Sequence, residues 1–268
     1  MAPEKITSAQ NPKIKNLKKL EKASERREQG LILIEGLREV VLAVCAGYEM
    51  DTLFICDEIF KDQEQYKLRD ILHLGSAIKH YQVSTEVYNT VAYRETTEGI
   101  IATTKPKEHS LKNIALGANP LILVIEAVEK PGNLGAMFRT ADAAGVDAVI
   151  ICDTKTDLYN PNIIRSSLGT IFTNDVVTGN TKDVIGWLKQ NNISIFAAEL
   201  SGAEMYYTQD YKTGSAIVVG AEATGLSEEW INAADKRIKI PMLGEIDSLN
   251  VSVSAAVLLY EAVRQRRI

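Results

Sequence analysis

The sequence is poor in residues that bind metals or act as thiol or imidazole catalysts. Its 268 residues include three cysteines and three histidines, namely Cys45, Cys56, Cys152, His73, His80 and His109. The cysteines are too few and too scattered to predict a disulfide set or a zinc cluster, which is typical of the reducing cytoplasm. Residues 119–268 contain no histidine and one cysteine. The composition of this part therefore excludes a histidine-based triad, a His/Cys zinc site and a catalytic pair of thiols.

Long apolar runs are also missing. No uncharged run exceeds 13 residues, whereas a membrane-spanning helix needs about 20 apolar residues. The first residues lack the apolar core of a signal peptide. With 17 glycines and 7 prolines, the chain is also unlike fibrous or disordered proteins. The sequence therefore predicts a soluble, globular, cytoplasmic protein.

The charge is unevenly distributed along the chain. The formal net charge of −5 argues mildly against a polyanionic partner, but residues 1–30 hold eight lysines and arginines against four acidic residues. Such a basic segment can bind the phosphates of a nucleic acid. It can equally be the solvated face of a helix. Charge alone leaves both interpretations open.

Apolar periodicity predicts strands and helices that alternate in two series. In the first series we expect helices over 11–29, 37–46, 65–74 and 86–92, and strands over 31–35, 53–56, 78–83 and 99–103. In the second we expect strands over 121–126, 148–152, 193–199, 215–220 and 237–240, and helices over 134–144, 162–168, 181–191, 227–233 and 251–267. Continuous apolar strands between helices are typical of a parallel sheet covered on both faces, so the fold class is α/β. We predict two domains, at about 1–105 and 119–268, with a linker over 106–118.

Three loops of the second series follow strands, and ligands of open α/β sheets bind at such strand ends. In the first, Gly132 and Gly135 flank Asn133 where a helix begins, so main-chain N–H groups and the Asn amide can face a ligand. Arg139 follows in the same helix. A plain turn before a helix explains the Pro-Gly-Asn segment equally simply.

The second and third loops are also rich in small and polar residues. The second runs from Gly220 to Gly225 with Glu222 between them, and a carboxylate there favours a neutral or cationic part of a ligand over a phosphate. An ordinary turn again remains an alternative. In the third, Ser248 is predicted to cap the last helix, with Asn250 in its first turn. Capping by Ser248 leaves Asn250 without a role.

In this order and spacing the three segments resemble the three motifs of the SpoU-type (TrmH-type) ribose 2′-O-methyltransferases of the SPOUT superfamily. The matching residues are Asn133, Gly135, Arg139, Thr140 and Ala141; Gly220, Glu222, Gly225, Leu226 and Ser227; and 240–242 with 248–253. The family's usual Asp-Pro before the first Asn is replaced by Lys130-Pro131-Gly132, outside the residues that carry function in the family. Residues 1–105 resemble, more weakly, an L30e-like RNA-binding domain, mainly through 35–39.

The resemblance implies methyl transfer from S-adenosylmethionine to a ribose 2′-hydroxyl of RNA, with ribosomal RNA favoured over transfer RNA. It also implies a homodimer and a deep trefoil knot in the parallel-sheet domain, which the periodicity does not reveal. The methyl donor already carries a cationic leaving group, so positioning matters more than acid catalysis. Holding the two reactants together can supply about 7–11 kcal/mol. The absence of histidine after residue 109 is therefore compatible with this chemistry.

The resemblance also assigns roles residue by residue. The catalytic cluster near the target ribose corresponds to Asn133, Glu222, Ser248 and Asn250, together with Arg139. The main chain of Gly220, Ile240 and Leu249 corresponds to the cofactor-binding positions. The residues expected to contact RNA are Lys13, Lys15, Lys18, Lys19, Arg38 and Arg165, and no metal is expected.

Two roles are open for Arg139, a general base or a grip on the neighbouring phosphate that also supports the developing alkoxide. A guanidinium stays protonated to above pH ~12, which favours the second role. For Arg165, an RNA contact and a plain surface arginine remain equally open. For the whole protein, the alternative is an RNA-binding module with an inactive methyltransferase-like domain. The intact motifs argue against it.

Overall fold

The computed structural model describes residues 4–60, 78–93, 98–107, 109–154, 156–201, 203–222 and 224–267. The chain divides into two compact units. The first unit comprises Met1–Glu108 and Asp157–Thr173, and the second comprises His109–Thr156 and Asn174–Ile268. The helix predicted over 65–74 lies outside the described residues.

The elements follow the predicted series, except that the strands Glu4–Ile6, Val176–Gly179 and Glu204–Met205 were not predicted and the helix over 11–29 is divided. Up to residue 104 they are β1 (Glu4–Ile6), α1 (Pro12–Lys19), α2 (Ala23–Gln29), β2 (Ile32–Glu35), α3 (Leu37–Cys45), β3 (Met50–Ile55), β4 (Lys79–Val83), α4 (Thr85–Val91) and β5 (Ile100–Thr104). From residue 121 they are β6 (Leu121–Glu126), α5 (Pro131–Ala144), β7 (Ala148–Cys152), α6 (Pro161–Ser166), β8 (Val176–Gly179), α7 (Thr181–Gln190), β9 (Ser194–Ala198), β10 (Glu204–Met205), β11 (Ser215–Val219), α8 (Glu228–Ala233), β12 (Lys236–Lys239) and α9 (Val251–Arg266). Short 3-10 turns lie at Leu111–Asn113, in the predicted linker, and at Tyr206–Thr208.

The first unit contains a mixed five-stranded sheet in the order β1-β4-β3-β5-β2. β5 is antiparallel to both β2 and β3, whereas β4 is parallel to β1 and β3. Ile14 and Leu17 of α1 are buried and belong to the same apolar core as Phe54 and Ile101 of the sheet. This packing leaves the lysines of α1 on its outer face.

The prediction of one helix over 11–29 is wrong, because the helix is interrupted between α1 and α2. Arg26 binds the main chain at this interruption. Its guanidinium donates hydrogen bonds to the main-chain oxygens of Leu20 and Glu21, at 2.7 and 2.8 Å, and binds the carboxylate of Asp157 at 2.6 Å. Arg26 is only 4% exposed, so it serves the interior of the unit and not the phosphate-binding face suggested by charge counting. Gly30, in the left-handed region at φ 60°, ends α2 as predicted.

The segment Asp157–Thr173, which includes α6, packs with the first unit. The ring centroid of Phe172 lies 5.0 Å from that of Tyr48 in an edge-to-face contact. Gly169 has φ +83°, and a Cβ atom there would lie 3.0 Å from the Cα atom of Glu39. The predicted domain limits place this segment in the second domain, so the compact units differ from those limits here.

The second unit is built on a seven-stranded sheet in the order β10-β12-β9-β11-β6-β7-β8. Every pairing in this sheet is parallel, which confirms the parallel sheet predicted for this part of the chain. The strands over 121–126 and 148–152 have the predicted limits. Two short strands that the sequence did not predict, β8 and β10, form the two edges.

The parallel sheet brings the candidate loops together at the carboxyl ends of its strands, because these ends lie side by side in neighbouring parallel strands. β12, β9, β11 and β6 are consecutive in the sheet. Glu126, the buried last residue of β6, accepts hydrogen bonds from the main-chain N–H and the hydroxyl of Ser227, both at 2.7 Å. These bonds fix the end of the loop that carries Glu222. In the described part of the chain, no helix has the length and apolarity needed to span a membrane.

Candidate active site

The polar residues of the three motifs meet in one hydrogen-bonded network. The Nδ2 atom of Asn133 donates to Oε1 of Glu222 at 2.9 Å. The Nδ2 atom of Asn250 donates to the same oxygen at 2.8 Å and lies 3.2 Å from Oδ1 of Asn133. Segments separated by about ninety and thirty residues of sequence thus converge on one carboxylate. We call Asn133, Glu222 and Asn250 the carboxylate–amide network.

The local backbone explains how each member is held. Asn133 lies in the first turn of α5, which begins at Pro131. Gly220 permits the tight loop before Glu222, because a Cβ atom there would lie 2.3 Å from the main-chain oxygen of Gly225. The N–H of Gly225 donates to the oxygen of Ala221 at 2.8 Å and closes that loop.

The prediction that Ser248 caps the last helix is wrong. Asn250 is the N-cap of α9, and its Oδ1 atom accepts hydrogen bonds from the N–H and the hydroxyl of Ser252, at 3.0 and 2.6 Å. Asn250 is the better cap because its amide also has a donor to offer, which binds Glu222. The hydroxyl of Ser248 bonds to Asp247 at 3.1 Å. Ser248 nevertheless lines the cavity described below.

Lys130 completes the electrostatics of the network. Its Nζ atom lies 2.5 Å from Oε2 of Glu222, and the side chain is 73% exposed. The hydrogen bond from Lys130 is the main cause that lowers the pKa of Glu222, with the bond from Asn133 as a further cause. Glu222 is therefore a charged acceptor and a weak base at neutral pH. The sequence interpretation left Lys130 outside the functional residues, although its replacement of the family's usual Asp was a signal.

A cavity of about 360 Å³ opens beside the network at the carboxyl ends of β9, β11 and β12. Gly220, Ile240 and Leu249, the predicted cofactor positions, all line it. Apolar walls come from Val219, Met242 and Leu258 among others. The volume is in the range of small-molecule sites, about 300–1,000 Å³. Main-chain groups at loop ends, apolar walls and a bordering carboxylate suit a nucleoside with a cationic group.

Arg139 is the one predicted catalytic residue that neither joins the network nor lines the cavity. It is exposed and makes no salt bridge or hydrogen bond with the described residues. Since α5 begins at Pro131 and not at residue 134 as predicted, Arg139 lies in the third turn. Six residues of helix place it about 9 Å along the axis from Asn133 and on a different side. Within one chain, the structure therefore keeps Arg139 apart from the network.

The predicted RNA-contacting residues lie in the first unit. Lys15, Lys18 and Lys19 are exposed on α1, opposite its buried residues. Lys13 lies 4.6 Å from the ring centroid of Tyr81 and 3.6 Å from a carboxylate oxygen of Glu4.

The two predicted arginine contacts also belong to this unit. Arg38 is exposed on α3. The guanidinium of Arg165, an exposed residue of α6, lies over the ring of Tyr93 at 6.0 Å. A cation beside an exposed aromatic ring is a combination that proteins use to hold unstacked bases.

Comparison with known families decides the assignment of these two units. The SpoU rRNA Methylase family model matches residues 120–260, more than half of the chain. The chain belongs to the SpoU rRNA methylase family. A model of the MRM3-like substrate binding domain matches residues 11–102. Both halves of the expected architecture, a substrate-binding domain followed by the methylase domain, are thereby confirmed.

Relatives of this SpoU-family chain match it over nearly its full length. It is 32% identical to the 23S rRNA (guanosine(2553)-2′-O)-methyltransferase RlmP of Bacillus subtilis, over 95% of this chain and 97% of that protein. A crystal structure of an RNA 2′-O ribose methyltransferase is 39% identical with a TM-score of 0.84, covering 98% of this chain and 100% of the other. The AdoMet-bound rRNA methyltransferase of Sinorhizobium meliloti is 27% identical, with a TM-score of 0.88 and 97% of each chain covered. These similarities confirm the predicted enzyme class, α/β fold and S-adenosylmethionine as cofactor.

Proposed function

We propose that this SpoU-family protein transfers the methyl group of S-adenosylmethionine to a ribose 2′-hydroxyl of ribosomal RNA. The observation that carries the proposal is the carboxylate–amide network at the rim of the 360 Å³ cavity. The names of the relatives, which specify 23S rRNA, support ribosomal RNA over transfer RNA. The same bacterial relatives support the cytoplasm as its compartment.

The residues fit the cofactor in this cavity. S-Adenosylmethionine supplies a methyl group on a sulfonium, an activated leaving group that needs no acid. Main-chain groups of Gly220, Ile240 and Leu249 would hold its adenosine and methionine parts. A Cβ atom at Gly220 would collide with the main chain of Gly225 at the other end of the same loop, so the main chain at this position stays free of side-chain atoms.

The network positions the acceptor and does not titrate during the reaction. Glu222 is held charged by Lys130 and by two amides, so it fixes the orientation of Asn133 and Asn250 at the cavity rim. Fixed dipoles at this point cost no reorganisation when the ribose oxygen approaches. Ser248, on the cavity wall, adds a hydroxyl beside them.

We assign to Arg139 the grip on RNA phosphate, contributed to the site of a second copy of the chain. Its distance from its own network motivates this arrangement. α5, which carries Arg139, packs against α9, and α9 exposes Val253 and Tyr260 by 47% and 49%. Exposed apolar residues on a helix that packs against the helix of Arg139 suit a symmetric contact between two chains. In this proposal the protein is a homodimer, and the predicted trefoil knot belongs to the same unit.

Mixing two inactive variants tests the shared site. Arg139→Ala removes the arginine, and Ser254→Phe fills the cavity, which Ser254 lines. With a shared site, each mixed dimer has one intact cavity facing an intact arginine, so random pairing restores about a quarter of the sites. Zero recovery after verified subunit exchange would refute the shared site.

The first unit would hold the RNA substrate, and the two domains that we propose span about 1–105 and 119–268, with the segment Asp157–Thr173 packed on the first unit. The match of residues 11–102 to a substrate-binding domain and the exposed lysines of α1 support this division. The exposed Arg38 and Arg165 are assigned to the same RNA surface.

Methylation of purified ribosomal RNA tests the proposed reaction. The full chain, rRNA and methyl-labelled S-adenosylmethionine should give a 2′-O-methylated nucleoside by mass spectrometry after digestion. Asn133→Ala should lose this product, whereas Asn232→Ala, an exposed amide of α8, should retain it. RNA binding with saturable cofactor binding absent would instead favour the inactive RNA-binding module.

A further inference from the structure

Glu199 lies on the cavity wall between two loops of the site. It directly follows β9, which pairs in parallel with β11 through Val218 and Ala197. Continuing that register by two residues places Glu199 beside Gly220. On its other side, the N–H of Glu199 donates to the main-chain oxygen of Ile238 in β12 at 3.0 Å. Glu199 is thus a lining residue at the centre of the strand ends.

One oxygen of this carboxylate is buried, although the side chain as a whole is 25% exposed. No group in the described part of the chain donates a hydrogen bond to that oxygen, Oε2 of Glu199. Among the described residues, the cation within 4.0 Å is Arg237, whose Nη1 atom lies 3.9 Å away, beyond hydrogen-bonding distance, on a side chain that is 48% exposed. A buried carboxylate oxygen without a donor is unfavourable. Because Glu199 lines the cavity, a ligand there that brings a donor would give this carboxylate the hydrogen bond that it lacks.

We infer that Glu199 binds S-adenosylmethionine directly, accepting a hydrogen bond from one of its donor groups. The inference rests on the proposal that the cofactor occupies this cavity. The cofactor offers ribose hydroxyls and an α-ammonium as donors, and it carries one net positive charge at neutral pH. Demethylation removes the sulfonium charge, so a carboxylate on the wall favours the cofactor over its product.

The charge of Glu199 is the feature that a test must isolate. Glu199→Ala removes the acceptor and the charge, whereas Glu199→Gln keeps the shape and an acceptor but removes the charge. Glu229→Ala is the matched control, because Glu229 is an exposed carboxylate of α8 and does not line the cavity. Isothermal titration calorimetry of the full-length variants with S-adenosylmethionine gives the dissociation constants.

We expect Glu199→Ala to weaken binding about tenfold or more, as for other hydrogen bonds to charged groups. Glu199→Gln should lie between Glu199→Ala and the native chain, and Glu229→Ala should stay within twofold of the native chain. The melting temperature of cofactor-free Glu199→Ala should be unchanged or higher, since an unpaired buried acceptor is removed. A structural role for Glu199 would lower that temperature instead. Glu199→Ala binding within twofold of the native chain would overturn the inference.

Two further ligands and one further variant complete the test. 5′-Methylthioadenosine lacks the α-ammonium, so an equal loss of its affinity in Glu199→Ala assigns the ribose hydroxyls. A loss that S-adenosylmethionine and S-adenosylhomocysteine share and 5′-methylthioadenosine does not show assigns the ammonium, and either result supports direct binding. S-Adenosylhomocysteine should lose less affinity than the cofactor. If Ser254→Phe binds the cofactor like the native chain, the cavity assignment itself fails, which is a different result from failure of Glu199 alone.

Discussion

The two units use charged side chains in opposite ways. In the first, the cations that we propose to contact RNA are exposed lysines on one face of α1, and helix geometry alone sets their relative positions. In the second, Lys130, Asn133 and Asn250 converge on the single carboxylate of Glu222. The face of a helix displays charges side by side, whereas the ends of neighbouring parallel strands bring residues from distant parts of the sequence together. A count of charges therefore predicts the basic surface of the first unit, and the three sequence motifs predict the site of the second.

The largest effect that we expect is a loss of stability on substitution of Arg26, a basic residue of the first unit that is buried and not displayed on a helix face. Arg26→Ala leaves Asp157 without its partner and two main-chain oxygens without donors. Loss of one partner of a buried ion pair costs about 3–5 kcal/mol. Amide hydrogen exchange of the full chain should become faster in the first unit and stay unchanged in the second. The exposed neighbour Arg27 gives the control variant, Arg27→Ala.

Removal of the carboxylate that the two amides share should disorganise the site of the second unit. In Glu222→Ala the two amides lose their common acceptor, and small displacements of positioning groups can cost about 100-fold in rate. We expect turnover to fall by about that factor while the affinity for S-adenosylmethionine changes less than threefold. A fall in cofactor affinity as large as the fall in turnover would assign Glu222 to the cofactor.

Replacement of three lysines tests whether the α1 face of the first unit binds RNA. Replacing Lys15, Lys18 and Lys19 by alanine should weaken RNA binding about tenfold near physiological salt and lower the slope of log affinity against log salt by about 2. The matched control replaces Lys182, Lys189 and Lys212, which are exposed on the second unit. Equal losses in both triple variants would show that total charge, and not the α1 face, binds RNA.

The smallest effect should come from Lys130→Ala. Lys130 lowers the pKa of Glu222, so its removal lets that pKa rise toward the ordinary value. If turnover needs the charged carboxylate, activity is unchanged at alkaline pH, and the acid limb of the pH–rate profile moves to higher pH. A shift to lower pH, or an unchanged profile, would contradict the role given to Lys130. Lys239→Ala, which changes another cation of the cavity wall, separates this effect from a general loss of positive charge.

The sequence predicted an element best where its hydrophobic pattern is unambiguous. The short, almost wholly apolar segments 121–126 and 148–152 are typical of buried strands, and both strands have the predicted limits. The split between α1 and α2 was not predicted. Arg26, which binds the main chain at the split, is also held by Asp157, and a contact between residues so far apart in sequence is not visible in apolar periodicity. β8 and β10 are short edge strands, where apolar periodicity is weakest.

The site was predicted in composition better than in detail. The resemblance to the family's motifs identified Asn133, Glu222 and Asn250, which the structure brings together. Both Ser248 and Asn250 are good cap residues, and only the position of Glu222 distinguishes them. Glu199 ended a predicted strand like any other residue, since one sequence does not show which strand ends surround a cavity.

Glu222 divides its two oxygens between different tasks. Oε1 receives the two amides, and Oε2 receives Lys130. A saturation library should therefore tolerate many residues at position 130 and almost none at positions 133 and 250. The contacts of Oε1 fix the geometry of the site. The contact of Oε2 sets the pKa of Glu222, so substitutions at position 130 can change the working pH while the geometry stays the same.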